Sequence, residues 1–372
     1  MTTLNEIIQS YGAAYRAKYG EKSLPSHQRA LHDLEICRTE ALGGHVYDCP
    51  KCQIKEYKYH SCRNRHCPQC QAAAGETWLM RQQQLLLPTP YFMVTFTLPE
   101  EMRAMARSNQ QVMYNLLFRS GAAALQELAA DPRFVGGQIG LVGVLHTWSR
   151  DLNYHPHVHF LVPGGGLSAD GQQWLASRQG FLVHVRPLGK LFRAKFREGL
   201  KKTDLFKQVP GAVWRQAWVV HSQAVGDGQA ALKYLAPYIF RVAISNKRIS
   251  KLADGKVTFR YRTSDTGTLK TCILSVEEFI RRFLQHVLPK GFVKVRYYGF
   301  FSSGLRPKLA AVRQQLGHAA IEPSCLALFD TDTHGADLQD RLLAPLSVPL
   351  CPSCGQPMGR WLTIRPLERG PP

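Results

Sequence analysis

Three histidines alternate in the run Tyr154-His155-Pro156-His157-Val158-His159-Phe160, and two tyrosines stand four apart in Lys233-Tyr234-Leu235-Ala236-Pro237-Tyr238. In an extended strand, residues i, i+2 and i+4 share one face, so these imidazoles can converge on a divalent cation. His157 and His159 together leave coordination positions open, as a catalytic cation requires. The third ligand is open between His146, on the preceding strand, and His155, which is nearer but followed by Pro156. Tyrosine hydroxyls can act as nucleophiles that form covalent intermediates. A tyrosine doublet alone reads as core packing. Beside Lys233, Arg241, Lys247 and Arg248, and downstream of a histidine metal site, nucleophilic use of Tyr234 and Tyr238 is the better reading.

A second chemistry lies earlier in the chain. Cys49-Pro50-Lys51-Cys52 is followed after fourteen residues by Cys67-Pro68-Gln69-Cys70. Each pair brackets two residues, the spacing by which two thiolates grip one zinc ion, so Cys49, Cys52, Cys67 and Cys70 are expected to form a zinc site. His45, His60, Cys62 and His66 lie close by as alternative ligands or a second site, or as local hydrogen-bonding groups. Lys51, Lys55, Lys58, Arg63 and Arg65 interleave with Tyr47, Tyr57 and Tyr59, which suits phosphate contact and base stacking. A zinc-organised DNA-recognition module is the expectation, with a purely structural ribbon as the bland alternative. Cys351-Pro352-Ser353-Cys354 is one more knuckle without a second pair nearby; it either closes a zinc site with distant ligands or is a relic.

The rest of the composition agrees. The chain has 372 residues, 45% of them hydrophobic, and a formal net charge of +20. That excess calls for a polyanionic partner, most simply nucleic acid. A membrane surface is the weaker alternative, because the basic residues are spread along the chain. No apolar run is long enough to span a bilayer, and residues 1–10 lack the apolar region of a signal peptide, so a cytoplasmic protein is expected. Ten cysteines then read as metal ligands or buried thiols rather than disulfides.

The elements that must position these residues follow from local pattern. Residues 26–42 read as a helix with Ser26 as N-cap and Gly43-Gly44 as its stop. Residues 91–98 read as a strand, 100–130 as a helix broken at Asp131-Pro132, and 141–148 and 155–162 as a hairpin whose second arm carries the histidines. Residues 228–241 read as a helix interrupted by Pro237. A hairpin through 257–274, a helix over 276–288 and a basic strand at 292–298 follow. This is an α+β chain built on a small antiparallel sheet. Three regions are expected: a helical zinc-binding module at 1–88, a catalytic domain at 89–310, and an extension at 311–372 that carries the late knuckle and ends in a disordered Pro-rich tail.

The combination of Ala41-Leu42-Gly43-Gly44-His45, Ser61-Cys62-Arg63-Asn64-Arg65-His66-Cys67-Pro68-Gln69-Cys70, His-Pro-His-Val-His and Tyr-Leu-Ala-Pro-Tyr resembles the IS91-type transposases, rolling-circle HUH-class enzymes of bacterial insertion sequences. The resemblance runs from near residue 10 to about 305. It implies a ferredoxin-like sheet with a Mg²⁺ or Mn²⁺ site on His157 and His159, structural Zn²⁺ in the cysteine module, Tyr234 as principal nucleophile and Tyr238 as second. It also implies cleavage and joining of single-stranded or hairpin DNA through a 5′-phosphotyrosine. By their charge and their place in the cysteine and tyrosine motifs, Arg63, Arg65, Lys233 and Arg241 are the expected DNA contacts. A plasmid replication initiator or relaxase would use the same nicking chemistry. A non-catalytic zinc-ribbon DNA-binding protein is the remaining alternative; hydrolysis of a small substrate gives the tyrosines no role.

Overall fold

The alternation that gives the histidines one face of their strand gives Val158, Phe160 and Val162 the other, and the second set belongs to the core of the half that carries them. The structure, a computed structural model, describes residues 2–71, 86–230, 243–263, 266–317 and 348–367. The chain passes back and forth between two units. It opens in the first with α1 (Leu4–Tyr19), α2 (Pro25–Glu35) and the hairpin β1 (Gly44–Asp48) and β2 (Lys55–Tyr59). In the second it forms β3 (Tyr91–Thr97), α3 (Arg103–Ser108), α4 (Gln110–Ala130), β4 (Leu141–Trp148), β5 (Tyr154–Pro163), the short ribbon β6 (Gly165–Leu167) and β7 (Trp174–Ala176), α5 (Val185–Lys201) and β8 (Val220–Ala224). It returns to the first for β9 (Ile249–Ala253), β10 (Lys256–Arg262), β11 (Leu269–Ser275) and α6 (Val276–Leu284). It then gives β12 (Val295–Tyr298) and α7 (Arg306–Gln315) to the second and β13 (Gly359–Ile364) to the first.

The second unit is a five-stranded sheet in the order β12-β4-β5-β3-β8, antiparallel at every step. Leaving out β6, β7, the edge strand β12 and the helices α3 and α7, its chain order is strand, helix, strand, strand, helix, strand. Both long helices cover one face. In α4 the buried set includes Met113, Tyr114, Leu117 and Phe118; in α5 it includes Leu188, Phe192, Phe196 and Leu200, the three-to-four spacing of an amphipathic helix. They meet Phe92, Val94 and Phe96 of β3 and Val158, Phe160 and Val162 of β5. The opposite face of the sheet carries Met93, Val142, Val144 and Leu161, which pack with Phe300, Phe301 and residues Leu309 and Val312 of α7.

Phe160 is the central contact on the helix side. It is fully buried, and its ring lies edge-on to Phe96 at 5.7 Å and to Phe118 at 6.4 Å. Two glycines make room for it. A Cβ on Gly143 would come within 2.7 Å of the Phe160 ring, and one on Gly121 within 2.9 Å.

In the first unit β1 is the middle strand of the sheet β13-β1-β2, and β9, β10 and β11 form a separate antiparallel meander. Helix α1 begins with a capping box between Thr3 and Glu6, and α6 is capped by the Ser275 hydroxyl.

Several boundaries differ from the sequence expectation. Helix α2 ends at Glu35, not at 42, and its N-cap is Leu24 with Pro25 at the first helical position, not Ser26. The chain leaves the helix at Ile36 and turns through Arg38, which has a φ of 57°, so Cys37 stands in this turn and not on the helix. Helix α6 stops at Leu284 and β12 starts at Val295, so the helix and strand read at 276–288 and 292–298 are each shorter than expected. Helices α1 and α5 and strand β13 carried no reading in the sequence. Residues 243–287 and 348–367 join the first unit. Residues 231–242 and the Pro-rich segment 368–372 lie outside the described residues. Among the described residues no helix is long and apolar enough to cross a membrane.

Phe160→Ala is expected to cost about 3–5 kcal/mol, and Gly143→Val about 1–3 kcal/mol by overpacking against the same ring. Urea unfolding checks both; a loss below about 1 kcal/mol for Phe160→Ala would mean that the ring does not anchor the sheet.

Candidate metal centre and cysteine clusters

On the face of the sheet away from α4 and α5, β4 and β5 bring His146, His157 and His159 together. One ring nitrogen from each lies within 4.8 Å of the others. The register makes this possible: His146 is directly opposite His157, and Val144 is opposite His159. Ring centroids are 4.8 Å apart for His146–His159 and His157–His159 and 5.3 Å for His146–His157. Trp148 stacks on His146 at 4.9 Å. His155 is also on this face, 5.1 Å from His157, but is not one of the three.

Neighbouring groups orient the rings. His157 Nδ1 lies 2.7 Å from the His155 carbonyl oxygen. A carbonyl only accepts, so Nδ1 carries the proton and Nε2 is left with its lone pair, the tautomer that a metal-binding imidazole needs. His159 Nδ1 lies 2.8 Å from the Thr95 hydroxyl on β3, the strand that pairs Thr95 with His159. Burial holds His157 well below the ordinary histidine range, with the His159 and His155 rings adding to the effect. Burial likewise lowers His159 to about 4. Both rings are therefore neutral at physiological pH, as ligation requires.

The first unit gathers cysteines differently from the sequence expectation. Cys62, Cys67 and Cys70 meet Cys37, not Cys49 and Cys52. Cys37 Sγ is 3.7 Å from both Cys67 Sγ and Cys70 Sγ, and Cys62 Sγ is 3.6 Å from Cys70 Sγ. The buried Asn5 side chain donates to Cys67 Sγ at 3.6 Å and to the Leu34 carbonyl at 2.9 Å. Thiol hydrogen bonds, first from Cys37 and then from Cys62, pull Cys67 and Cys70 toward the thiolate form.

Strand length explains why the expected tetrad splits. Cys49 and Cys52 lie in the turn between β1 and β2, whereas Cys37 precedes β1 and Cys62, Cys67 and Cys70 follow β2. Five-residue strands separate the two ends of this hairpin by roughly 16 Å, too far for one ion. Cys49 and Cys52 face Cys351 and Cys354 instead. His45 and His60 pair edge to face at 5.2 Å. Neither they nor His66 join a candidate metal cluster among the described residues. Arg63 and Arg65 are exposed on the loop that carries Cys62 and Cys67. Tyr234, Tyr238, Lys233 and Arg241 lie outside the described residues.

Sequence reasoning missed Cys37 and Thr95. Cys37 has no neighbour at knuckle spacing, and the only hint was that Cys62, Cys67 and Cys70 make three ligands where zinc takes four. Thr95 gave no signal, because its role depends on cross-strand register.

Comparison with known proteins fits this arrangement. Residues 7–98 match a family described as "Transposase zinc-binding domain", and residues 140–308 match one described as "Putative transposase". The chain is 41% identical to "Putative transposase y4qJ" of Sinorhizobium fredii, over 99% of this chain and 96% of that protein. It is 28% identical to the transposase for insertion sequence element IS801 of Pseudomonas savastanoi pv. phaseolicola, over 73% of this chain and 72% of the relative. No solved structure matches. Matched along nearly its whole length to a transposase relative, and carrying the two family regions in order, the chain belongs to the IS91-type transposases and has their zinc-binding domain on its N-terminal side.

Proposed function

We propose that this transposase nicks and rejoins single-stranded DNA by a rolling-circle, HUH-type mechanism, with the five-stranded sheet as its ferredoxin-like catalytic core. The observation that carries the reading is the convergence of three imidazoles on one face of an antiparallel sheet. The strand and helix order of the second unit, with β8, β3, β5 and β4 side by side and both long helices on one face, supports the ferredoxin-like assignment.

His146, His157 and His159 would hold a divalent cation, Mn²⁺ or Mg²⁺. An all-imidazole set favours the softer Mn²⁺. Such an ion supplies Lewis-acid polarisation of the scissile phosphate when bound. The chain's own groups do the rest. The His155 carbonyl and the Thr95 hydroxyl fix the ligand rings in place. Tyr234 attacks phosphorus and gives up its phenolic proton to solvent, and the bond to the 3′ oxygen breaks as that oxygen takes up a proton in exchange. The products are a 5′-phosphotyrosine and a free 3′-OH. The ester conserves the bond energy, so a 3′-OH can reverse the step and join a new strand. Tyr238 would serve a second, linked cleavage. An ordinary tyrosine titrates near 10, so Lys233 and Arg241 would favour the phenolate and hold the DNA backbone. Arg63 and Arg65 would add phosphate contacts beside the zinc-binding module.

Incubation with Mn²⁺ and labelled single strands from the element ends is expected to yield a covalent protein–DNA adduct that survives denaturation. Tyr234→Phe should abolish it, while Tyr238→Phe should leave first-strand cleavage in place. Absence of any adduct from the wild-type, metal-loaded protein would sink the tyrosine mechanism and favour a DNA-binding role without cleavage.

Metal affinity provides a separate test. His157→Ala or His159→Ala should remove Mn²⁺ binding at this centre, and Thr95→Val should weaken it by about 10-fold through loss of ring orientation. A lowered pKa keeps an imidazole neutral as pH falls, so proton competition should set in near the folded value of about 4 for His159 rather than near the ordinary histidine value. Mn²⁺ affinity, followed by calorimetry, should therefore change little between about pH 7.5 and 5.5; a steep fall through about pH 6.5 would show that the rings are not buried as described.

A further inference from the structure

The second group of cysteines has no place in the catalytic reading. Cys49 and Cys52 lie in the β1–β2 turn, and Cys351 and Cys354 lie in a turn that leads into β13. The four thiol sulfurs sit within 4.8 Å of one another. Cys49 Sγ and Cys354 Sγ are 3.5 Å apart, far beyond the ~2.05 Å of a disulfide, and all four cysteines are free. Tyr47 and Met358 complete a small buried cluster around them.

The two turns share the same pair of backbone hydrogen bonds. In the first, the Cys49 amide donates to the Ile54 carbonyl at 3.0 Å and the Gln53 amide to the Cys49 carbonyl at 2.9 Å. In the second, the Cys351 amide donates to the Gln356 carbonyl at 2.8 Å and the Gly355 amide to the Cys351 carbonyl at 2.9 Å. The residue after the second cysteine has left-handed backbone in both, with φ of 56° at Gln53 and 71° at Gly355. Glycine takes that conformation freely, but a glutamine held there costs about 1–2 kcal/mol, so something must repay the turn geometry. In the first turn the Cys52 amide also donates to Cys49 Sγ at 3.4 Å. Two Cys-Pro-Xaa-Cys knuckles facing each other present four sulfurs to one tetrahedral cation.

We propose that Cys49, Cys52, Cys351 and Cys354 bind a second structural zinc ion, distinct from the Cys37, Cys62, Cys67 and Cys70 cluster, and that this ion fastens β13 to β1. The region matched to the family zinc-binding domain ends at residue 98, so half of this ligand set lies well beyond it. The ion ties together residues 305 positions apart, and a cross-link that closes so long a loop removes the most freedom from the unfolded chain. Strand β13, which pairs with β1 from Gly44↔Ile364 to Asp48↔Gly359, would owe its docking to this ion.

Metal content of the purified full-length protein, measured by plasma mass spectrometry, should be two zinc ions per chain. It should fall to one in the Cys351→Ser/Cys354→Ser double variant. Hydrogen exchange should then accelerate at the β13 amides while those of β5 keep their protection. Should the variant fail to fold, Co²⁺ titration of metal-free wild type decides the matter: the sulfur-to-cobalt charge-transfer band should grow to two equivalents. One zinc per wild-type chain, saturation by a single Co²⁺, unchanged zinc in the double variant, or a disulfide through Cys351 or Cys354 would each overturn the proposal.

Discussion

The two-residue alternation of β5 is the constraint on which the histidine-bearing unit depends. Val158, Phe160 and Val162 enter the core beneath α4 and α5, and the residues between them are forced to the opposite face. Because the period is two, a slip of one position would bury the imidazoles among phenylalanines and expose Phe160. The aromatic contacts of Phe160 with Phe96 and Phe118, and the glycines at 121 and 143 that admit its ring, therefore set the position of His157 and His159 without touching them. Register then completes the triad. His146 meets His157 because β4 pairs with β5, and Thr95 reaches His159 because β3 pairs with it on the other side.

The same division between hydrophobic support and polar function appears in the first unit, where thiols take the place of rings. The two facing turns have little apolar support of their own: among the described residues, the buried cluster around Cys49 and Cys351 contains only Tyr47 and Met358 besides cysteines. Free thiols packed this closely gain little from one another, whereas a shared cation would offset both the confinement of the turns and the left-handed backbone at Gln53. A stiff hairpin between two such groups also keeps them about one strand length apart, so they cannot exchange ligands.

Much of this was legible in the sequence. The histidine strand, its hairpin partner, the antiparallel α+β class and the metal-binding character of the cysteines all follow from spacings of two, three and four residues. The family itself was legible in the motifs around His45, Cys62 to Cys70 and His157. What sequence could not supply was pairing at long range. Cys49-Cys52 and Cys67-Cys70 have the spacing of one site, and only the length of β1 and β2 separates them. The mate of Cys49 and Cys52 lies some three hundred positions away, a relation that no local pattern encodes. Cys37 was hidden because residues 26–42 look helical until the turn at Arg38 is known. Tyr234 and Tyr238 lie outside the described residues, so the reading of that pair still rests on the sequence.

The braided path of the chain has a consequence for how it is made. A chain emerging from the ribosome folds what it already has. Four strands of the histidine-bearing sheet are available once residue 224 has emerged, and β12 follows by residue 298. The first unit waits much longer: β1 and β2 are among the earliest segments synthesised, yet their outer neighbour β13 is complete only at Ile364. Through most of synthesis β1 therefore keeps one edge unpaired, and the nascent chain has a histidine sheet before it has a finished zinc module. A ribosome that stalls in between would release a protein with its three histidines assembled and its cysteine module still open.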